Sequence, residues 1–307
     1  MLSVLMATHN GADTIERTLA AMSELAAPVG GWKFVVVNNA STDDSEARIL
    51  KWCDRLPLQY LVEPRLGKSH AMNTALDHAE GDLIIMTDDD VLPERDWLTE
   101  WRRMADSYPT LSVFGGAIVP EFEQSPPAWL IDDGCFTVLY AKTPDQPEGE
   151  IAPLDISGPN LAIRTSIRDQ GWRFGEGFMI GQNGLMGEDS DLVTRLAEAG
   201  HKVGFAPTAR VRHIVQKSQM SWRWIHRRFI RHGRTQFMAE DVRWDAATHR
   251  PVFRFPWWRI SKSMESLVHL TLAALRRDAA ALSRQSRILS YHLGALSQAW
   301  SLVRSHK

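Results

Sequence analysis

The chain has 307 residues, of which 44% are hydrophobic, so it is long enough to bury the core of one large domain or of two smaller ones. Its formal net charge of -2 argues against a protein that binds nucleic acid through overall charge. No apolar stretch approaches the roughly 20 residues that a membrane-spanning helix needs, and the first residues lack the basic start of a signal peptide.

The first half of the chain alternates short apolar strands with helices. Strands are predicted at residues 3–7, 34–37, 58–62 and 83–86, and helices at residues 14–25, 45–52 and 68–79. This order predicts an α/β fold with a Rossmann-like, mostly parallel sheet flanked by helices. Polar residues follow each strand, so we expect them to line the edge of the sheet where nucleotides bind.

Three consecutive carboxylates, Asp88, Asp89 and Asp90, follow the apolar strand at residues 83–86. An unpaired carboxylate at the edge of a core is costly, and a divalent cation that prefers oxygen ligands, Mg²⁺ or Mn²⁺, is a natural partner. Asp88 and Asp90 point to the same side of an extended segment, so they can divide the work: Asp90 would bind the metal, and Asp88 would hold the ribose or share the metal. The alternative interpretation is a solvated acidic turn that caps the next helix.

The pattern changes after residue 112. Strands at 113–119 and 161–163 flank a long loop at residues 121–159, and loops of that length are usually functional. A second acidic cluster, residues 187–191, begins a helix that ends near Ala199 and precedes a short strand at 202–206. Its carboxylates either cap the helix or supply a general base that takes a proton from an acceptor hydroxyl.

Two further residues have both a structural and a functional interpretation. Lys68 follows Gly67 at the start of a helix, which suits an anion, although the spacing is not that of a P-loop. His213 follows a short strand; it is either a structural histidine or a ligand that completes an oxygen-rich metal site.

The C-terminal part is basic and aromatic. Residues 221–234 predict a helix with five arginines and an apolar face, and further helices are predicted at 264–275 and 288–303. This composition suits an anionic membrane surface or a diphosphate-bearing acceptor, and it equally suits a helical subdomain packed by its tryptophans. The last helices predict core packing, dimerisation or peripheral membrane contact.

Six segments in order resemble the family 2 inverting glycosyltransferases, whose catalytic domain has the type A nucleotide-sugar fold. They are SVLMATHNGADTIERTL, VVVNNASTDDS, GKSHAMNTAL, GDLIIMTDDDVLPERDWL, GPNLAIR and GEDSDLVTRLAEAG, and they lie between residues 3 and 215. The resemblance therefore implies a nucleotide-sugar-binding catalytic domain at residues 1–215 and a helical extension at residues 216–307.

The resemblance also implies roles for individual residues. Donor-binding residues would be Thr8, Asn10 and Asn38 at the base, Lys68 near the diphosphate, and Asp88 and Asp89. Metal ligands would be Asp90, Asp88 and His213. Acceptor-binding residues would be Gly158, Asn160 and Arg164, and the catalytic base would be Asp189 with Glu188 beside it. Many family members have Asp where this chain has Asn38, which leaves the identity of the base open.

The expected function is transfer of a sugar from a nucleoside-diphosphate sugar, with a UDP-sugar favoured, to a hydroxyl of a glycan or lipid-linked acceptor. The expected setting is the assembly of cell-surface polysaccharide or glycolipid at the inner face of the cytoplasmic membrane. Only two cysteines are present and they fit no disulfide framework, which favours a reducing compartment. The alternatives are a non-catalytic module with this fold and a sugar nucleotidyltransferase; the latter needs a basic, glycine-rich loop after the first strand, which residues 8–13 lack.

Overall fold

The computed structural model describes residues 1–152, 156–175, 185–244 and 251–305. Residues 153–155 of the predicted long loop, and residues 245–250, 306 and 307 of the predicted C-terminal extension, lie outside the described residues. The strands are β1 (Leu2–Thr8), β2 (Trp32–Asn38), β3 (Leu58–Val62), β4 (Leu83–Asp88), β5 (Val91–Pro93), β6 (Val113–Phe122), β7 (Gly149–Glu150), β8 (Leu161–Arg164), β9 (Val203–Val215), β10 (Arg243–Trp244) and β11 (Pro251–Val252).

The α-helices are α1 (Ile15–Ser23), α2 (Ser45–Leu50), α3 (Lys68–Asp77), α4 (Trp97–Ser107), α5 (Cys135–Tyr140), α6 (Thr165–Asp169), α7 (Glu188–Glu198), α8 (Trp222–Gln236), α9 (Trp257–Leu275) and α10 (Ala279–Ser305). Short 3₁₀ turns lie at Gly158–Asn160 and Lys217–Met220, and a π-helical turn lies at Phe237–Asp241. Among the described residues, no helix is long and apolar enough to cross a bilayer.

The large sheet has a parallel part and an antiparallel part. Its strand order among the described residues is β3-β2-β1-β4-β8-β6-β9-β5, and β7 also pairs with β9. Strands β3, β2, β1 and β4 pair in parallel, as predicted. Strand β8 pairs antiparallel with β4 and β6, and β9 pairs antiparallel with β5 and β7. The predicted α/β fold is confirmed, and the antiparallel pairs all involve strands that follow β4 in the chain.

Both faces of the parallel strands are covered, because alternate side chains point to opposite sides. On one face, Val4 and Met6 pack in a cluster with Ile15 of α1 and Trp97 and Trp101 of α4. On the other face, Leu5 packs in a cluster with Met72 and Leu76 of α3 and Leu192 of α7. Burial of a large apolar side chain contributes about 1.5–3 kcal/mol, so these two layers hold the strand ends in fixed positions.

The described residues form two compact units. Of the described residues, the first unit contains 1–121, 140–152, 156–175 and 187–214, and the second contains 122–139, 185–186, 215–244 and 251–305. The division into a catalytic domain at 1–215 and an extension at 216–307 stays a prediction.

The second unit is built around α8, α9 and α10. The backbones of α8 and α10 approach closely at two glycines, because a Cβ atom at Gly233 would overlap the carbonyl of Tyr291, and one at Gly294 would overlap the carbonyl of Ile230. A buried ion pair joins Arg287 of α10 to Asp133, with Nη2–Oδ2 at 2.7 Å. The helices begin earlier than predicted: α9 begins at Trp257 and α10 at Ala279.

Candidate functional site

The register of the parallel strands brings polar residues to one edge of the sheet. Thr8 of β1 lies opposite Asn38 of β2, and Ala7 lies opposite Asp88 of β4. The carboxyl ends of all these strands therefore meet at the same place, as ligand sites of open α/β sheets require. The N-terminus of α3, with Lys68, begins at this edge.

The three consecutive aspartates lie in three different environments. Asp88 ends β4, and its Oδ1 lies 2.5 Å from Lys68 Nζ. Asp89 turns the other way and accepts a hydrogen bond from the hydroxyl of Thr8. Burial, together with repulsion from Asp90 and Asp88, raises the pKa of Asp89 to about 7. The triplet is therefore not a simple solvated turn, because each carboxylate has a separate partner.

Asp90, the residue before β5, contacts His213 of the neighbouring strand β9. The antiparallel register of β5 and β9 places Val91 opposite His213, and His213 Nε2 lies 3.1 Å from Asp90 Oδ2. The other ring nitrogen, Nδ1, donates to the backbone carbonyl of Tyr140 at 2.9 Å. Burial alone would raise the pKa of Asp90, but its proximity to His213 lowers it, and Asp90 in turn raises the pKa of His213 against the effect of burial.

The chemistry of Asp90 and His213 fits a bound cation. If Nδ1 donates to Tyr140, then Nε2 of a neutral imidazole presents a lone pair to a carboxylate, and that arrangement needs a proton or a cation to be stable. A histidine that donates its second N–H to a backbone carbonyl is also typical of metal ligands. Oδ1 of Asp90 is buried and has no hydrogen-bond partner among the described residues. It is available as a ligand.

Asp88 is the third predicted metal ligand, beside Asp90 and His213. Asp88 contacts Lys68 instead, and within the described parts of the chain no group of three or more His, Cys, Asp or Glu side chains converges to hold a metal. The metal role of Asp88 stays a prediction.

Asp189 is held at the N-terminus of α7 by the backbone. Gly187 has a φ of 97°, which favours glycine, and it turns the chain into the helix. The carboxylate of Asp189 then accepts a hydrogen bond from the backbone N–H of Gly158. A Cβ atom at Gly158 would overlap that carboxylate, so glycine is the residue that permits the contact. This geometry explains why a glycine lies in the predicted acceptor segment.

Glu188 and Lys68 complete a charged group beside Asp189. Lys68 Nζ lies 3.8 Å from Glu188 Oε1. Burial of Glu188, with repulsion from Asp189, raises the pKa of Glu188 even though Lys68 opposes the shift. Burial of Lys68 opposes its charge, but Asp88, Glu188 and Asp189 together raise its pKa, so it stays an ammonium ion.

These residues line one small cleft. Its lining is mostly apolar and also includes Lys68 and three acidic residues. The lining residues are Lys68, Met72, Met86, Thr87, Asp88, Gly158, Leu161, Phe174, Glu188 and Asp189. The cleft therefore combines a fixed cation, a backbone-held carboxylate and apolar surface, which is the composition expected of a site for a charged ligand.

A buried carboxylate that the sequence analysis missed holds the loop before Lys68. Glu63 accepts hydrogen bonds from Arg65 Nε at 3.0 Å and from the Thr74 hydroxyl at 2.7 Å. Asn39 donates to the carbonyls of Glu63 and Arg65 and accepts from the N–H of Gly67. The signal available in the sequence was a charged residue directly after the third strand, in the position that Asn39 has after the second.

We expect Glu63→Gln to lower the free energy of unfolding by about 2 kcal/mol at pH 7. The hydrogen bonds from Arg65 lower the pKa of Glu63 from 4.5 to about 2, against the effect of burial. A lowered pKa stabilises the fold above pH 4.5, and this contribution is lost as the pH falls from 4.5 toward 2.

Urea unfolding at pH 7 and pH 3 measures the effect of Glu63→Gln, and the difference from wild type should be smaller at pH 3. The control is Glu150→Gln, because Glu150 pairs with Lys202 at the exposed surface and should contribute little. An equal difference at both pH values would show that the ionised form of Glu63 is not responsible.

Two predicted acceptor residues, Asn160 and Arg164, make hydrogen bonds within the protein. Asn160 is fully buried; its Oδ1 accepts from the Trp97 indole at 2.9 Å, and its Nδ2 donates to the carbonyls of Ala117 and Ala209. Arg164 donates to the carbonyls of Ala105, Tyr108 and Leu111 and so satisfies carbonyls at and beyond the end of α4. Asn160 therefore hydrogen-bonds entirely within the protein, and Arg164 does so through Nε and Nη2. Contact of either residue with an acceptor sugar stays a prediction.

The predicted base-binding residues differ in their accessibility. Thr8 and Asn38 are buried, and Asn38 donates to the hydroxyl of Tyr60 at 3.0 Å while it accepts from the N–H of Ser41. Asn10 is exposed and adopts a φ of 55°, and its Oδ1 accepts from the N–H of Thr42 at 2.8 Å. Contact with a nucleobase stays a prediction for all three, and Tyr60 is a residue that the sequence analysis did not connect to this edge.

Known proteins similar to the chain share both its sequence pattern and its fold. The model of the family described as "Glycosyl transferase family 2" matches residues 3–172, more than half of the chain. The succinoglycan biosynthesis protein ExoM of Rhizobium meliloti is 27% identical over 230 residues, which are 74% of this chain and 71% of that protein. The probable glycosyltransferase YdaM of Bacillus subtilis is 28% identical over 226 residues, and the match spans 68% of this chain and 49% of YdaM.

Solved structures are similar in fold. The mannosyltransferase PcManGT from Pyrobaculum calidifontis, in complex with GDP-Man and Mn²⁺, has a TM-score of 0.66 at 23% identity and covers 98% of this chain and 87% of its own. S. aureus TarS 1-349 in complex with UDP-GlcNAc has a TM-score of 0.55 at 14% identity, with 98% of this chain and 92% of that chain covered.

Proposed function

The chain belongs to glycosyl transferase family 2 and is a glycosyltransferase, and we propose that it transfers a sugar from a nucleoside-diphosphate sugar to an acceptor hydroxyl with inversion at the anomeric carbon. One observation carries the proposal. The carboxylate of Asp189, fixed by the N–H of Gly158, lines the same cleft as Lys68 and Asp88. A base and a phosphate-binding cation are therefore available to one substrate.

Asp189 would act as the general base. Its carboxylate would take the proton of the acceptor hydroxyl, and the oxygen would attack the anomeric carbon from the face opposite the diphosphate. Because the hydrogen bond from Gly158 fixes the carboxylate, little reorganisation is needed when the proton moves. Glu188 would help to keep Lys68 charged, and Lys68 would attract the leaving diphosphate.

Asp90 and His213, with Asp88 as the third predicted ligand, would hold a Mn²⁺ or Mg²⁺ ion. Oxygen ligands completed by one imidazole suit either ion, and the free Oδ1 of Asp90 supports its role. When bound, such a cation supplies Lewis-acid neutralisation of the charge on the diphosphate. The similar mannosyltransferase from Pyrobaculum calidifontis was solved with Mn²⁺, which agrees with this proposal.

The substrates are proposed by chemical class. Similar structures contain GDP-Man or UDP-GlcNAc, and the UDP-sugar favoured from the sequence stays our proposal for the donor. For the acceptor we propose a glycan or a lipid-linked glycan in polysaccharide assembly, since one relative is named for succinoglycan biosynthesis. We also propose peripheral contact with the inner face of the cytoplasmic membrane. The alternative proposal for the C-terminal helices is that they form a homodimer interface.

A thermal-shift panel tests the donor class. UDP-, GDP-, dTDP- and CDP-sugars are each added with and without Mn²⁺, because a ligand that binds only the folded protein stabilises it by RT ln(1+[L]/Kd). We expect one nucleotide class to raise the Tm, and to raise it more with Mn²⁺ present. Equal responses to all four, or a response unaffected by Mn²⁺, would contradict the proposal.

A further inference from the structure

Helix α9 leaves most of its large apolar side chains exposed, together with Lys262 and Glu265, and turns Arg259 and two serines inward. Its outward residues recur at helical spacing: Trp257, Ile260, Met264, Leu267, Val268, Leu272 and Leu275. Several are more than half exposed, such as Val268 at 58% and Leu275 at 77%. The inward residues include Arg259, Ser263 and Ser266, all less than 10% exposed. A helix of a water-soluble surface has the opposite pattern.

The buried side of α9 contacts charged, aromatic and backbone groups of the second unit, although Nε and Nη1 of Arg259 are buried with no hydrogen-bond partner among the described residues. Arg259 pairs with Asp241 at 3.0 Å and lies over the rings of Trp258 and Tyr291. Ser263 donates to the carbonyl of Arg259 at 2.8 Å. The helix is therefore anchored by its polar face, and the apolar residues at 257–275, which we call the α9 stripe, are left outward.

The C-terminal part of the chain, which contains α9, is strongly basic, and the exposed acidic residues on and directly after α9 are Glu265 and Asp278. Residues 215–307 contain 17 lysines and arginines against 5 aspartates and glutamates, while residues 1–214 contain 18 against 32. Exposed cationic residues lie before the helix, at Arg254, and at its C-terminal end, at Arg276 and Arg277. Two exposed tryptophans, Trp257 and Trp258, begin the helix. The α9 stripe thus has tryptophans at one end and basic residues at both ends. This arrangement suits the boundary between the lipid headgroups and the acyl chains of a bilayer.

We propose that the α9 stripe inserts into the surface of a bilayer that contains anionic lipids, with α9 lying in the plane of the interface. The inference deepens the proposed peripheral location and rests on it. A second copy of the chain is a less suitable partner for the α9 stripe, because two basic surfaces repel each other. Anionic lipid headgroups are complementary to a basic surface.

The structure distinguishes between the helices that the sequence offered for membrane contact, residues 221–234 and the last helices. In α8, Trp222 stacks on Trp129 with ring centroids 4.0 Å apart. Phe229 of α8 lies under the guanidinium group of Arg287, and Ile225 is fully buried. The apolar face of α8 is therefore used within its unit, and α9 supplies the outward surface.

Vesicle co-sedimentation tests the proposal. The full chain is mixed with vesicles of phosphatidylcholine alone or of phosphatidylcholine with phosphatidylglycerol. The test variant is Val268→Glu with Leu275→Glu, and the matched control is Val29→Glu with Leu50→Glu, which makes the same change at exposed apolar residues of the first unit. We expect the wild type and the control to bind anionic vesicles, and the test variant to bind at least about tenfold more weakly.

Three outcomes would overturn the proposal. They are no binding of the wild type to anionic vesicles, equal binding to neutral vesicles, and equal loss of binding in both variants. Light scattering after size-exclusion chromatography tests whether the α9 stripe instead binds a second copy of the chain. A dimeric wild type and a monomeric test variant, with no vesicle binding by either, would assign the α9 stripe to a subunit interface. Because the readout is vesicle binding, it can fail while the proposed transfer reaction stands.

Discussion

Asp189→Asn is expected to reduce sugar transfer by about 10²–10⁴-fold while donor binding stays close to wild type. Asparagine has nearly the same shape, and its amide oxygen can still accept the hydrogen bond from Gly158 that holds the wild-type carboxylate. The amide cannot take the proton of an acceptor hydroxyl. The measurement is the steady-state rate of nucleoside-diphosphate release with acceptor, beside the donor-induced Tm shift.

Asp191→Asn is the matched control for this variant. Asp191 lies in the same helical turn, but its carboxylate pairs with Arg195 at 2.9 Å, one turn further along α7. Loss of that pair should cost about 0.3–0.5 kcal/mol of stability and little activity. Similar rates for the two variants would remove Asp189 from the role of base.

Asp90→Asn is expected to abolish the part of donor affinity that depends on Mn²⁺. The amide can still hydrogen-bond to His213, but it lacks the charge that attracts a divalent cation. In the wild type, saturation of a metal-dependent donor site at 100 times its Kd would stabilise the protein by about 2.7 kcal/mol. We expect the Mn²⁺-dependent portion of that stabilisation to disappear in the variant.

Thermal shifts with one nucleotide sugar, at increasing Mn²⁺, measure this effect. Asp106→Asn is the control, because Asp106 is an exposed carboxylate that pairs with Arg102 on α4. An unchanged Mn²⁺ dependence in Asp90→Asn would show that the cation binds elsewhere or that donor binding needs none.

The parallel part of the fold could be predicted from the sequence because its signals are local. Apolar runs such as residues 83–86, separated by helices, require a parallel sheet whose polar junctions share one edge. The positions of Asp88 and Lys68 at that edge follow from the same pattern. The antiparallel strands could not be predicted, since β5 and β9 pair residues more than 100 positions apart and no local pattern specifies that register.

The same limit explains what the sequence left open at the site. The contact between Asp90 and His213 depends on the β5–β9 register, which no local pattern specifies. Asn160 was predicted as an acceptor residue only from the resemblance to the family, and no local pattern indicates its full burial beside Trp97. Glu63 attracted no interpretation, because its partner Thr74 lies within α3 and the two residues meet only when the loop between them folds back.

Exposure was the least predictable property of the second unit. The spacing of Leu267, Leu272 and Leu275 indicates a helix, and core packing is the ordinary explanation for such a pattern. The structure places Arg259 and Ser263 inside instead, because α10 and the turn at 237–241 offer polar partners there. Which face of a helix is buried depends on its neighbours as well as on its own sequence.

Release of nucleoside diphosphate by the wild type, from the sugar donor that stabilises it best and with Mn²⁺ but no acceptor, tests the central claim most directly. If Asp189, Lys68 and the Asp90–His213 pair form one transferase site, water will slowly replace the acceptor and the diphosphate will accumulate at a rate that falls in Asp189→Asn. A protein that binds the donor and releases no diphosphate, with or without acceptor glycans, would be a binding module and would contradict the account.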